Sequence, residues 1–161
     1  MPGVIRLAIA DDIPDILTLI RELAAYEKLA DACIATEALL RRHLFDRDPV
    51  AESLVAEVDG QIAGYAIFFR TFSTFLARPG IYLEDIYVQP QHRRRGLGKG
   101  MLMEITRIAQ RRGYGRVEWA VLKWNSPAIA FYRSLGAVLL EEWETFRVAG
   151  NALDRLVRLD G

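Results

Sequence analysis

The chain has 161 residues, 52% of them hydrophobic, enough for one compact domain that buries roughly 70% of the surface its unfolded form exposes. Its 21 basic and 21 acidic side chains cancel, so no net field favours nucleic acid or an anionic membrane, and neither partner is expected. Cys33 is the single cysteine and the two histidines, His43 and His92, are far apart, which excludes a disulfide framework, leaves no zinc-type cluster and fits a reducing cytoplasm with no metal bound.

The opening "MPGVIRLAIADD" has no charged segment followed by a sustained apolar one, and no apolar run reaches the ~20 residues of a membrane span. "VIRLAIA", Val4 to Ala10, reads as a first strand. Asp11 or Asp12 can cap the helix that follows, with Pro14 in its first turn. Ile13, Ile16, Leu17, Ile20, Leu23 and Ala24 recur at helical steps and predict an amphipathic helix ending near Glu27. A second helix is expected after Thr36, through "EALLRRHLF". "SLVAEVDGQIAGYAIFFRTF" reads as a hairpin turning at Asp59-Gly60, where positive φ suits the glycine.

"GIYLEDIYV", Gly80 to Val88, predicts the next strand. After a glycine loop, Leu97, Met101, Leu102, Ile105 and Ile108 form one apolar helical stripe, which Gly113 and Gly115 close. "RVEWAVL" alternates as a strand. Asn125 and Ser126 ahead of Pro127 start a helix that stops at Gly136. The tail "VLLEEWETFRVAGNALDRLVRL" reads as two strands joined at Ala149-Gly150-Asn151. The resulting order, β-α-α-β-β-β-α-β-α-β-β, is that of an α/β protein with a mixed sheet and helices on its faces, a single domain over residues 1–161.

The loop "RRRGLGKG" carries the chemistry. A dinucleotide fingerprint needs G-x-G-x-x-G and fails on spacing; a Walker loop needs four residues between its first glycine and a Gly-Lys-Ser/Thr and is absent. What remains is R-x-x-G-x-G, Arg93-Arg94-Arg95-Gly96-Leu97-Gly98, between a strand and a helix. Amides freed by glycine can converge on a pyrophosphate at a helix start that carries about half a positive charge, while arginines answer further phosphates. An ordinary strand-to-helix turn with a solvated basic cluster is the competing reading.

The strand "LEDIYV", this loop and the later "WNSPAIAFYRSLGA" resemble the GCN5-related N-acetyltransferases (GNAT), which use acetyl-coenzyme A, and the element order matches their fold over nearly the whole chain. Within that superfamily "IRELAAYEKL", "YLEDIYV" and "KWNSPAIAFYRSLGA" resemble the diamine acetyltransferases, the spermidine/spermine and thialysine group. The resemblance implies a cofactor site made of Arg93, Arg94, Arg95, Gly96, Leu97, Gly98, Lys99 and Gly100. To these it adds the backbone of Ile86, Tyr87 and Val88, where the family's strand splays from its neighbour and a backbone N–H meets the carbonyl oxygen of the transition state. Asn125, a helix cap in any case, and Tyr132 complete it.

An amine of pKa about 10.4 must lose a proton before it attacks a thioester. Glu84 is the candidate base: it lies in an apolar strand whose burial would raise its pKa, and the resemblance puts the family's base here, acting through water. A surface carboxylate on a half-exposed strand is the plainer reading. Asp85 should point to the opposite face unless a bulge turns it, and either attracts the cationic substrate or pairs with an arginine. Tyr132 holds the family's general-acid position, and it also suits a core tyrosine beside Ile129 and Leu135.

Tyr26 and Glu27, with Glu142 and Trp143, match positions that shape the amine pocket in the diamine group, where carboxylates and aromatic faces favour an alkylammonium. Two departures stand out: Ala25 where the spermidine/spermine enzymes carry lysine, and Lys123 before Trp124 where an acidic residue is usual. An added cation favours a substrate bearing a carboxylate as well, so thialysine or a related amino acid is expected over spermine. Cys33 has no feature tying it to the site, so direct transfer in a ternary complex is expected, with no acetyl-enzyme. The resemblance further implies a homodimer with exchanged tail strands. A peptide N-acetyltransferase and an inactive acyl-CoA-binding sensor are the alternatives.

Overall fold

A computed structural model describes residues 3–159. Contacts divide the chain into two compact units, one running to Leu122 and one starting at Lys123. The first unit is a five-stranded sheet in sequential order. β1 (Val4–Leu7), β2 (Glu52–Val58), β3 (Gln61–Ser73) and β4 (Arg78–Val88) pair antiparallel, and β5 (Val117–Trp119) runs parallel to β4. A parallel neighbour needs a crossover, and helix α3 (Leu97–Arg111) supplies it.

Each face of the sheet is covered because the strands alternate. Val55, Tyr65, Ile67 and Tyr87 form one core with Ile16 and Leu19 of α1 (Ile13–Tyr26) and Leu44 of α2 (Glu37–Leu44). Leu97, Met101, Leu102, Ile105 and Ile108 of α3 are all buried, as their spacing predicts, and α3 packs against all five strands. Burying each such side chain contributes about 1.5–3 kcal/mol, which drives the helix onto the sheet. No helix among the described residues is long and apolar enough to cross a membrane.

Local chemistry sets the boundaries. Asp59 (φ 50°) and Gly60 (φ 79°) make the expected hairpin turn between β2 and β3. The Thr36 hydroxyl accepts from the Leu39 N–H at 3.2 Å and starts α2. At the start of α1, Asp12 does not cap with its side chain. Its carboxylate accepts from the Ile9 N–H at 2.8 Å and pairs with Arg6 at 2.8 Å, pinning β1 to the helix entry.

Two expectations are corrected. The strand expected over "RVEWAVL" shrinks to Val117–Trp119, since it can only be as long as the stretch of β4 it pairs with. In the second unit the tail forms no strands. Residues 137–148 are irregular, with a turn where the Trp143 N–H donates to the Leu140 carbonyl, and Asn151–Val157 is helix α5. The apolar and β-rich residues there suggested strands, but no ladder partner exists among the unit's described residues, and "ALDRL" is made of helix-compatible residues. Helix α4 (Ser126–Ser134) starts as expected, the Asn125 side chain accepting from the Ala128 N–H at 3.4 Å.

Candidate active site

The site begins with an irregularity in β4. Opposite β3, Leu83 pairs with Phe68 and Asp85 with Ile67, so Glu84 is an extra residue, a β-bulge. The bulge reverses the alternation of every residue after it. Leu83 belongs to the face of Phe68, whereas Asp85 and Tyr87 turn to the face of Ile67 and Tyr65, under α1. The pairing of β4 with β5 stops at the same place, at Leu83 opposite Trp119. From Asp85 to Val88 the outer edge of β4 has no partner strand among the described residues. Gln89 donates its N–H to Ala63 on β3, so by alternation the polar groups of Ile86 and Val88 face that free edge.

The bulge also decides which carboxylate is buried. Glu84 is exposed, contrary to the expectation that its strand would bury it. Asp85 is half-buried and accepts a hydrogen bond at 2.9 Å from the hydroxyl of Tyr65, which is fully buried. Burial pushes the Asp85 carboxyl up to about 6; the Tyr65 hydrogen bond pulls it down, and the charges of Glu84 and Glu27 push it further up. Burial likewise raises Glu27, the residue that ends α1. Burial and then the Asp85 charge push Tyr65 well above the usual tyrosine range, so its hydroxyl stays a donor. The charges of Glu27 and Glu84 thus both act on Asp85, and Glu27 stands at the carbonyl end of α1, whose dipole adds negative potential. No group of acidic, histidine or cysteine side chains among the described residues is arranged to hold a metal.

Beyond β4, a short 3-10 turn at Pro90–His92 leads into the glycine loop. Arg94 (φ 63°) and Gly96 (φ 78°) are both left-handed, which aims the chain into α3 with Gly96 as its N-cap. No side chain caps this helix, and the amides of Leu97, Gly98 and Lys99 have no acceptor among the described residues. Arg94, Arg95 and Lys99 are exposed and make no ion pair there. Open amides, unspent cations and the adjoining free strand edge fit a pyrophosphate with an extended arm. Arg93 differs from its neighbours. Its Nε donates to the Val88 carbonyl at 2.9 Å, and its guanidinium lies 5.4 Å from the Tyr26 ring centroid and 5.5 Å from that of Tyr87.

The first unit therefore brings together Tyr26, Glu27, Glu84, Asp85, the Ile86–Val88 edge and the loop from Arg93 to Gly100. Asn125, Tyr132, Glu142 and Trp143 belong to the second unit. There Tyr132 is half-buried on α4 with its ring 5.5 Å from that of Phe131, and Glu142 and Trp143 are exposed. Sequence reasoning missed Glu22, Tyr65 and Gln89. Glu22 accepts from the Tyr87 hydroxyl at 3.2 Å and from the Gln89 amide at 3.1 Å, tying α1 to β4. Glu22 stands four residues before Tyr26, a spacing that places both on one helix face and was a usable signal. Nothing local marked Tyr65, whose partner is 20 residues away.

Comparison with known proteins places the chain in a family. The family model described as "Acetyltransferase (GNAT) family" matches residues 17–137. A thialysine N-epsilon-acetyltransferase of Bos taurus is 39% identical, over 94% of this chain and 95% of its own. An L-ornithine N5-acetyltransferase of Arabidopsis thaliana is 31% identical, over 97% and 88%. Among solved structures, an integron cassette protein of V. cholerae superposes with a TM-score of 0.83 at 25% identity, covering 99% of each chain. The chain belongs to the acetyltransferase (GNAT) family, which uses acetyl-CoA, and it is an acyltransferase enzyme.

Proposed function

We propose that this protein transfers an acetyl group from acetyl-CoA directly to the primary amine of a small cationic substrate, an amino acid of the thialysine or lysine type ahead of a polyamine. The observation that carries this reading is the group of Glu27, Glu84 and Asp85 beside a free β4 edge and an uncapped phosphate loop. Three carboxylates, one of them at the carbonyl end of α1, attract an ammonium, and Tyr26 offers it an aromatic face. Relatives named for thialysine and L-ornithine act on amino acids, which carry a carboxylate as well as amines, and Lys123 supplies a cation suited to one.

Acetyl-CoA supplies an activated thioester. Its phosphates suit Arg94, Arg95, Lys99 and the amides that follow Gly96, and its arm suits the Ile86–Val88 edge. Glu84 takes the amine's proton through water, its exposed position leaving room for one, and Tyr132 donates a proton to the leaving thiolate. A second reading is favoured by the raised carboxyl of Asp85, which suits a general base working near neutral pH. The variants Glu84→Gln and Asp85→Asn separate the two. If Glu84 is the base, E84Q removes turnover at every pH while D85N keeps the acidic limb of the pH–rate profile. If Asp85 is, D85N removes that limb and E84Q shifts it to lower pH, because a neighbouring negative charge is gone.

The same reading makes the protein a cytoplasmic homodimer that needs no metal. Exposed Val138, Trp143, Phe146 and Val157 in the tail support an assembly that covers them. Thiol release from acetyl-CoA with spermidine, spermine, putrescine, thialysine, lysine, ornithine and short peptides tests the substrate. Turnover confined to the amino acids is expected. Polyamine preference overturns the Lys123 argument, and reaction with peptides alone, or cofactor binding without turnover, overturns the small-amine reading.

A further inference from the structure

Arg93 opens the R-x-x-G-x-G motif, and its sequence position suggests a phosphate ligand, but its side chain is already engaged elsewhere. Its Nε donates to the Val88 carbonyl, the last residue of the free β4 edge, at 2.9 Å. The guanidinium plane lies within cation–π range of Tyr26 on α1 and Tyr87 on β4. The Tyr87 hydroxyl in turn donates to Glu22, which also accepts from Gln89. One side chain thus links the phosphate loop, the end of the acceptor strand and the C-terminal turn of α1. Arg94, Arg95 and Lys99 remain available as loop cations.

We propose that Arg93 is a positioning residue for the amine side of the reaction: by holding Tyr26 and Val88 against Tyr87, it sets Tyr26 and Glu27 relative to the β4 edge, and it does not bind phosphate. This rests on the reading above, in which the end of α1 meets the amine. Lysine cannot replace it, because a point-charge ammonium lacks the planar fork that serves a carbonyl and two ring faces together.

The test compares Arg93→Met, Arg93→Lys and Arg95→Met, measuring coenzyme A binding by calorimetry and steady-state constants with the fastest-reacting amine of the panel. R93M is expected to raise the amine KM by about tenfold and to leave coenzyme A affinity within about twofold, with R93K failing to rescue it. R95M is expected to do the reverse. An R93M loss of coenzyme A affinity as large as that of R95M overturns the proposal, as does full rescue by R93K. Glu27→Gln tests the underlying reading separately: an unchanged amine KM there means that α1 does not meet the amine. If no amine reacts, the coenzyme A affinities of R93M and R95M still decide whether Arg93 is a phosphate ligand.

Discussion

At the scale of single residues, Asp85 shows how burying a carboxylate costs stability. Its carboxyl titrates at about 6 in the folded chain against 3.8 ordinarily, because burial disfavours its charge. Between about pH 4 and 6 the folded chain therefore binds more protons than the unfolded one, and stability from this group falls as pH rises. Above that window the penalty is complete. Asp85→Asn keeps an oxygen for the Tyr65 hydroxyl and carries no charge. Thermal melts should show D85N more stable than wild type by roughly 1–2 kcal/mol at pH 7.5, with the gap closing below about pH 4. A D85N chain that melts lower at pH 7.5 would mean that the ionised Asp85–Tyr65 pair stabilises the fold. Glu84 and Asp85 were both visible in "YLEDIYV" as candidates, but which of them is buried was not, because burial depends on the face each one takes.

At the scale of elements, the decisive feature is the end of β4, where a bulge, a lost neighbour and a close crossing coincide. Gly64 on β3 sits opposite Val88, and a Cβ there would stand 2.7 Å from the Tyr87 carbonyl oxygen and 3.2 Å from Val88 Cγ2. A backbone oxygen cannot yield without moving the strand. Gly64→Ala should therefore cost about 1–3 kcal/mol in denaturant titration and lower both kcat and coenzyme A affinity, since it displaces the edge that takes the cofactor's arm. Unchanged stability and kcat would show that the edge tolerates movement. Periodicity identified α1 and α3 and the turn at Asp59-Gly60 because those signals are local. The tail misled: its apolar, β-rich residues suit a strand, but strand formation requires a partner, and "NALDRLV" forms a helix instead.

At the scale of the whole molecule, assembly is the property to measure. Sedimentation velocity over a concentration series should give a homodimer, and the exposed apolar side chains of the tail are the surface such an assembly would cover. A monomer at every concentration would refute it. The family was legible in sequence because its signature is contiguous: a strand, a glycine loop and a helix start dictate their own backbone, and R-x-x-G-x-G can be read without knowing what packs around it. The carboxylates, the tyrosine on α4 and the loop cations were legible as residue types for the same reason. Only the tertiary structure decided that Glu84 bulges, that Asp85 turns inward to Tyr65, that β5 leaves β4 at Leu83, and that Arg93 grips Tyr26 and Val88. Each of these depends on strand register or on a contact between residues far apart in the chain, and register is set by how all the faces pack at once.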